Sequence, residues 1–161
     1  MGILHQGFHP HQRKEIAAME RRQVLLVTNA ITSDEIIEVK KALVNAPVNH
    51  MNIKLSLVHV IPQLPTCYFN IPSMLHLVEK YYEEAKQYLT QAGERLGVSK
   101  QDQWLLAGKV KVEVLRLAKK THAHFILASS QYIQELQKSD FRREEYKFIN
   151  TMSAFNSLKR V

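Results

Sequence analysis

The sequence has a single cysteine, Cys67, and only five glycines and five prolines among its 161 residues. One cysteine forms no internal disulfide and supplies no cysteine-based metal site. Few glycines and prolines without a biased run exclude collagen, linker arrays and low-complexity tails. No stretch reaches the ~20 consecutive apolar residues that a membrane-spanning helix needs, and the N-terminus lacks the apolar segment of a secretory signal. We therefore expect a soluble, cytoplasmic protein without a metal site.

The motifs of the common enzyme and nucleotide sites are also missing. Gly108-Lys109 resembles part of a phosphate-binding loop, but the loop's first glycine and its final Ser or Thr are replaced by Gln103 and Val110. Ser129 and Ser130 lack the flanking glycines of a nucleophile elbow. Because no catalytic set is visible, we expect no enzyme activity beyond weak nucleotide hydrolysis at most.

What the chain does contain is a regular alternation of apolar runs and amphipathic segments. Apolar runs at 24–27, 55–61, 104–106 and 125–128 predict strands that are buried on both faces. Helical spacing predicts helices over 36–43, 75–96 and 110–117, the first preceded by a capping box at Thr32 and Glu35 and the second stopped by Gly97. Strands alternating with helices require crossover connections, so the sequence predicts an α/β fold with a parallel sheet covered on both faces.

The two ends of the chain are less regular. Residues 1–22 have few large apolar side chains and predict a flexible tail or a short surface helix, which leaves 23–161 as the folded domain. Apolar residues between 141 and 152 predict a weakly amphipathic helix, and the last seven residues, Phe155 to Val161, predict a fifth strand. A short lone edge strand leaves backbone groups unpaired, so we expect this strand to pair with a second copy.

Basic residues outnumber acidic ones by seven, and most of this excess lies in the last third of the chain. From Lys109 onward there are eleven Lys and Arg against five Asp and Glu. Such a surface attracts polyanions. No recognition helix or aromatic stacking platform accompanies the charge, so we expect no specific nucleic-acid binding and no membrane binding.

Particular segments, in their order along the chain, resemble the universal stress protein family. The segment Leu57-Val58-His59-Val60-Ile61-Pro62 is similar to the second strand of that family, which typically reads L-x-H-V-x-P. Residues 107–129 resemble its third helix and fourth strand, and Ile149-Asn150-Thr151 resembles the helix that leads into its last strand. The resemblance extends from about Val24 to the C-terminus.

The resemblance implies a five-stranded parallel sheet in the order 3-2-1-4-5 and a cytoplasmic homodimer whose last strands pair. One branch of the family binds ATP, with an Asp after the first strand and a glycine signature after the fourth. This chain has Asn29 at the first place and Ser129, Tyr132 and Arg142-Arg143 at the glycine places. The chain is therefore similar to the branch that does not bind ATP.

Ligands of parallel α/β sheets bind beyond the carboxyl ends of the strands, where the strand order reverses. The residues that could line such a site here are Thr28, Asn29, Ser129, Ser130, Arg142 and Arg143. Our interpretation is a dimeric interaction module with an unknown protein partner and no cofactor. The alternative is a protein that binds a nucleotide or another phosphorylated ligand through a loop without glycine, made of Ser129, Ser130, Arg142 and Arg143.

Overall fold

A computed structural model describes residues 22–44, 53–138 and 146–154. Five parallel strands form one sheet in the order β3-β2-β1-β4-β5, with helices on both faces. This confirms the predicted fold class. The elements are β1 (Arg22–Val27), α1 (Ser33–Val44), β2 (Ile53–Ile61), a 3-10 turn (Thr66–Asn70), α2 (Pro72–Leu96), a 3-10 turn (Lys100–Asp102), β3 (Gln103–Ala107), α3 (Val110–Lys120), β4 (Phe125–Ala128), α4 (Ser130–Gln137), β5 (Lys147–Asn150) and a 3-10 turn (Thr151–Ser153).

The central strands are buried on both sides because their side chains feed two separate apolar clusters. Alternate residues of β1 point to opposite faces, so Leu26 joins one cluster and Leu25 the other. The first cluster packs against α1 and α2, and the second against α3 and α4. The central strands therefore need apolar residues on both of their faces, which accounts for their nearly continuous apolar runs.

Local signals define the ends of the first two helices. The Thr32 hydroxyl accepts a hydrogen bond from the Glu35 amide at 3.2 Å, and the Glu35 carboxylate accepts one from the Thr32 amide at 2.9 Å, which completes the capping box. Helix α2 ends at Leu96 because Gly97 adopts a left-handed conformation with φ of 70°. Its amide then donates to the Gly93 carbonyl.

Helix α2 is much longer than the strand that follows it. At 1.5 Å per residue it spans about 37 Å, whereas β3 spans about 17 Å. The first buried side chain of α2 is Ala85, and residues 66–84 contain none. We call residues 66–84 the overhang, because they extend beyond the carboxyl edge of the sheet while the second half of α2 packs against it.

The C-terminal third differs from the sequence prediction in two ways. The predicted helix over 141–152 is wrong at its C-terminal end, because Lys147–Asn150 is β5 and pairs with β4. A helix that the spacing analysis left out, α4, instead begins two residues after β4, with Leu136 buried. The short strand was missed because only Ile149 is buried in it, so it has too few buried positions to give a strand pattern.

Several predicted segments fall outside the described residues. The predicted tail lies there apart from Arg22, which begins β1. The predicted strand from Phe155 to Val161 also lies there, and the fifth strand of the described sheet is Lys147–Asn150. No helix in the described part of the chain is both long enough and apolar enough to cross a bilayer.

Candidate functional site

The strand order reverses between β1 and β4, so the residues that follow these two strands form the expected ligand site. Thr28 and Asn29 follow β1, and Ser129 and Ser130 follow β4. The register that pairs Leu26 with Leu127 brings these two pairs to the same edge of the sheet. The structure thus brings together four of the six predicted site residues. The other two, Arg142 and Arg143, lie outside the described residues.

Asn29 is committed to a structural role at this edge. Its Nδ2 donates to the Val60 carbonyl at 2.7 Å, and its Oδ1 accepts from the Val60 amide at 2.9 Å. The carboxamide thereby ties the end of β1 to β2 in the way a further backbone pair would. Because both of its polar atoms are engaged and the residue is buried, Asn29 is not a free ligand for a ribose or a metal.

Thr28 is likewise engaged with β2. Its hydroxyl lies 3.1 Å from the Val58 carbonyl and 2.9 Å from Nδ1 of His59. Burial lowers the pKa of His59, because the charged imidazolium loses hydration there. His59 is therefore a neutral, hydrogen-bonded histidine near the core.

On the other side of the strand reversal, α4 occupies the place where a phosphate loop would lie. Ser129 is the residue before the helix, and its carbonyl accepts hydrogen bonds from the amides of Tyr132 and Ile133 at 3.0 and 2.9 Å. Amides bound within a helix are not available to cradle phosphate oxygens. Tyr132 packs against the core, so it is part of a folded helix rather than a substituted loop.

Two buried hydroxyls at this edge have no hydrogen-bond partner among the described residues. They are Oγ of Ser129, directly after β4, and Oγ1 of Thr151, directly after β5. The register pairs Ala128 with Asn150, so Ser129 and Thr151 occupy corresponding positions, each one residue beyond the end of its strand. Buried polar atoms without a partner are uncommon in folded proteins, which makes this corner the remaining candidate for a polar ligand.

A second concave feature, which the sequence analysis did not identify, lies on the β2 side of the edge beneath the overhang. We call it the α2 groove; its volume is about 330 Å³, and it is lined by Ala30, Ile31, His59, Tyr81, Glu84, Ala85 and Tyr88. The α2 residues recur at spacings of three and four, as the inner face of a helix does. That spacing was visible in the sequence. The sequence did not show which loop and strand residues complete the groove, because those residues are distant from α2 along the chain.

Tyr88 holds this groove in shape. Its hydroxyl donates to the Ile31 carbonyl at 2.5 Å, which ties α2 to the loop after β1. Its ring lies 5.4 Å from the His59 ring, centroid to centroid. Burial, together with the nearby charge of Glu35, raises the pKa of Tyr88 despite the opposing effect of Arg95, so its hydroxyl stays protonated and continues to donate.

The described residues also bear on other kinds of site. Within 22–44, 53–138 and 146–154, no three His, Cys, Asp or Glu side chains come together in a group that could hold a metal ion. Cys67 is exposed on the overhang. His124 lies at the amino end of β4, where its Nδ1 accepts from the Gln23 amide at 3.0 Å, on the opposite edge of the sheet from the site.

Comparison with solved structures places the fold. The hypothetical protein MJ0577 aligns with a TM-score of 0.58 at 16% identity, over 81% of this chain and 95% of that chain. A protein of the universal stress protein family from Burkholderia pseudomallei aligns with a TM-score of 0.57 at 19% identity, over 81% of this chain and 96% of that chain. No protein-family model and no curated protein matches the sequence. The comparisons thus establish a shared fold.

Proposed function

We propose that this chain is a member of the universal stress protein family that works in the cytoplasm as a dimeric interaction module without a bound nucleotide. The fold is the one seen in the Burkholderia protein, and the strand order is the order that the sequence resemblance implies. The segment Leu57-Val58-His59-Val60-Ile61-Pro62 forms the carboxyl half of β2 and the residue after it, which is the place the resemblance gives it.

The observation that carries the interaction role is the apolar surface of the overhang. Of the ten large hydrophobic side chains exposed in the described part of the chain, six lie within residues 69–82: Phe69, Ile71, Leu75, Leu77, Tyr81 and Tyr82. Residues 62–78 contain no Asp, Glu, Lys or Arg. A concentration of exposed apolar side chains in one segment of a protein surface favours contact with another molecule.

The proposal that no nucleotide binds is supported by the hydrogen bonds already formed at the edge between β1 and β4. Asn29 is bound to Val60 at both of its polar atoms. The amides of Tyr132 and Ile133 are bound within α4. A nucleotide bound in the manner of the ATP branch would have to displace these hydrogen bonds, each worth about 1 kcal/mol, before forming its own. We expect no turnover of ATP for the same reason.

Calorimetric titration with Mg-ATP tests the nucleotide part. We expect no binding tighter than ~10 μM, the affinity that corresponds to about 7 kcal/mol. Nucleotide released from the purified protein on denaturation would contradict the proposal equally. Titration with AMP and with inorganic phosphate distinguishes recognition of the base from recognition of phosphate.

For the dimer, we propose pairing through the C-terminal segment from Phe155 to Val161, as the sequence suggests. β5 is the last strand of the described sheet, and this segment begins just after Ala154, which is fully buried. Light scattering after size exclusion should report about twice the monomer mass of 18.7 kDa. A chain that ends at Ala154 should be a monomer with unchanged circular dichroism, and removal of residues 1–21 is the control that should remain a dimer.

The overhang provides the competing arm of the same experiment. The double substitution Leu75→Gln and Tyr82→Gln should leave the dimer intact, and Ile37→Gln on α1 is the matched exposed control. If the double substitution gives a monomer while the shortened chain stays dimeric, the dimer forms through the overhang and the C-terminal assignment is wrong. A monomer for the full chain at tens of micromolar would remove the dimer altogether.

One observation favours the alternative of a phosphorylated ligand. The buried hydroxyls of Ser129 and Thr151 lack partners and lie beside the start of α4, where the helix dipole favours an anion. Under this alternative, Ser129→Ala would abolish phosphate or nucleotide binding. Under the main proposal there is no binding to lose, and the substitution stabilises the fold slightly by removing an unpaired buried hydroxyl.

A further inference from the structure

The polar groups of the α2 groove are arranged to accept hydrogen bonds. The Thr28 hydroxyl has one proton and two neighbouring acceptors, the Val58 carbonyl and Nδ1 of His59. If that proton went to Nδ1, the hydroxyl and carbonyl oxygens would face each other at 3.1 Å with no proton between them. We take the arrangement with the proton on the Val58 side, in which Nδ1 carries its own proton and donates to the hydroxyl, so that both contacts are hydrogen bonds.

This assignment decides what His59 presents to the groove. In a neutral imidazole with a proton on Nδ1, the other nitrogen, Nε2, carries a lone pair and accepts. His59 lines the groove, and the only hydrogen-bond partner of its ring among the described residues is Thr28. The ring therefore has one acceptor free for a ligand.

Glu84 supplies the second acceptor. It lines the groove from α2, and within the described part of the chain its carboxylate has no hydrogen bond or ion pair. No Lys or Arg lines the groove. Although the whole chain is basic, residues 72–88 contain three glutamates against two lysines, and Glu84 is the one charged side chain among the described residues that line the groove, so the local field favours a cation.

The remaining walls are aromatic and apolar. Tyr81 and Tyr88 contribute rings, and the Tyr88 hydroxyl is already used by the Ile31 carbonyl. Aromatic faces attract ammonium groups through their quadrupole. The volume of about 330 Å³ lies at the small end of the range for ligand pockets, ~300–1,000 Å³.

We propose that the α2 groove binds a small organic ammonium cation with an apolar or aromatic body, such as an arylalkylamine. Its ammonium group is held by the Glu84 carboxylate and donates to Nε2 of His59, while its apolar body packs between the Tyr81 and Tyr88 rings. This site is separate from the edge between β1 and β4, so it stands whether or not that edge binds phosphate.

Three probes of the same shape and different charge test the proposal on the full chain. They are 2-phenylethylamine, the neutral 2-phenylethanol and the anionic phenylacetate, titrated against the labelled protein with chemical shifts read by NMR. We expect 2-phenylethylamine to bind at least about tenfold more tightly than either other probe. The His59 ring resonances should move with the Tyr88 ring resonances, which only binding in this groove would produce.

Substitutions locate the site within the helix. Glu84→Gln removes the charge while keeping the shape, and should weaken 2-phenylethylamine binding about fivefold, the loss of one exposed charge pair. Glu83→Gln, on the neighbouring residue outside the groove, is the matched control and should bind as the unmodified chain does. Tyr81→Leu should weaken the amine and the alcohol by similar factors, because the Tyr81 ring packs against the apolar body that the two probes share.

Equal affinity for the three probes would overturn the proposal, because a merely apolar groove does not read charge. Equal losses for Glu84→Gln and Glu83→Gln would overturn it as well, since they would indicate attraction to the acidic segment as a whole. Tighter binding of phenylacetate than of 2-phenylethylamine would also overturn the proposal, because it would show that the groove prefers an anion. The substituted residues, Tyr81, Glu83 and Glu84, are exposed on α2, and thermal unfolding of each variant verifies that the fold is retained.

Discussion

The Asn29 carboxamide pairs with both backbone groups of Val60, 31 positions away, donating to its carbonyl at 2.7 Å and accepting from its amide at 2.9 Å. This pairing needs one donor and one acceptor on the same planar group. Asn supplies both, whereas ionised Asp supplies only acceptors. Asn29, one of the residues at which this chain departs from the pattern of the ATP-binding branch, is thus also a residue that suits the β1–β2 contact.

Asn29→Asp should therefore destabilise the protein. A carboxylate oxygen would replace Nδ2 opposite the Val60 carbonyl, leaving two acceptors face to face in a buried place, at a cost of about 2–3 kcal/mol. Urea denaturation measures the loss. Asn150→Asp is the matched control, because the Asn150 oxygen only accepts from the Met152 amide, which Asp does equally well. Similar losses for both variants would contradict the role given to Asn29.

His59 should make stability depend on pH. Burial lowers its folded-state pKa below the ordinary 6.5, so below pH 6.5 the unfolded chain takes up a proton that the folded chain does not. The free energy of unfolding then falls as the pH falls from 6.5 toward the folded-state pKa, and this contribution is constant above and below that window. His59→Gln should lose less stability than the unmodified chain between pH 7.5 and 5.5 in urea denaturation. Parallel curves would show that His59 does not contribute.

Gly97 tests the C-terminal cap of α2. Its φ of 70° is costly for a residue with a Cβ, and a Cβ added there meets no atom within 4 Å, so any loss is a backbone effect. Gly97→Ala should cost about 1 kcal/mol in the free energy of unfolding. Gly97→Asn should cost less, because Asn adopts this conformation more readily. An Ala variant as stable as the unmodified chain would show that the cap is not strained.

Tyr88→Phe tests the tie between α2 and the loop after β1. Removing the hydroxyl leaves the Ile31 carbonyl without that donor, and we expect a loss of about 1 kcal/mol. Tyr82→Phe, on the exposed overhang of the same helix, should change stability by less than ~0.5 kcal/mol. Denaturation midpoints of the two variants give the comparison, and equal values would mean that the Tyr88 hydrogen bond contributes nothing measurable.

Much of the fold was readable from the sequence because the relevant signals are local. The strand predicted at 125–128 has the same bounds as β4, since four consecutive apolar residues between polar ones are typical of a short strand buried on both faces. The capping box and Gly97 marked helix ends through contacts within a few residues. Gly108 directly follows β3 and adopts φ of 148°, a conformation that favours glycine.

Local signals failed where the chain is held by distant contacts. β5 has one buried side chain, Ile149, and it forms a strand because its backbone pairs with the edge of β4. A segment of four residues is too short for a residue spacing that would predict this pairing. Helix α4 had a usable signal in Tyr132, Ile133 and Leu136, at helical spacing after Ser129. Ser129 and Tyr132 were matched to the glycine places of the family signature instead, so the helical spacing of the three residues was not used.

The sequence by itself determined the α/β class and the inner strands, because both follow from the periodicity of apolar residues. It also showed directly that no glycine follows Gly108. Only the tertiary structure decided what Asn29, His59 and Tyr88 do. Each has its partner in another element, Asn29 at Val60, His59 at Thr28 and Tyr88 at Ile31. Hydrogen-bond partners and groove walls depend on how strands and helices pack against one another. Side chains that come together from distant positions have no characteristic spacing in the sequence, so the sequence alone does not predict these contacts.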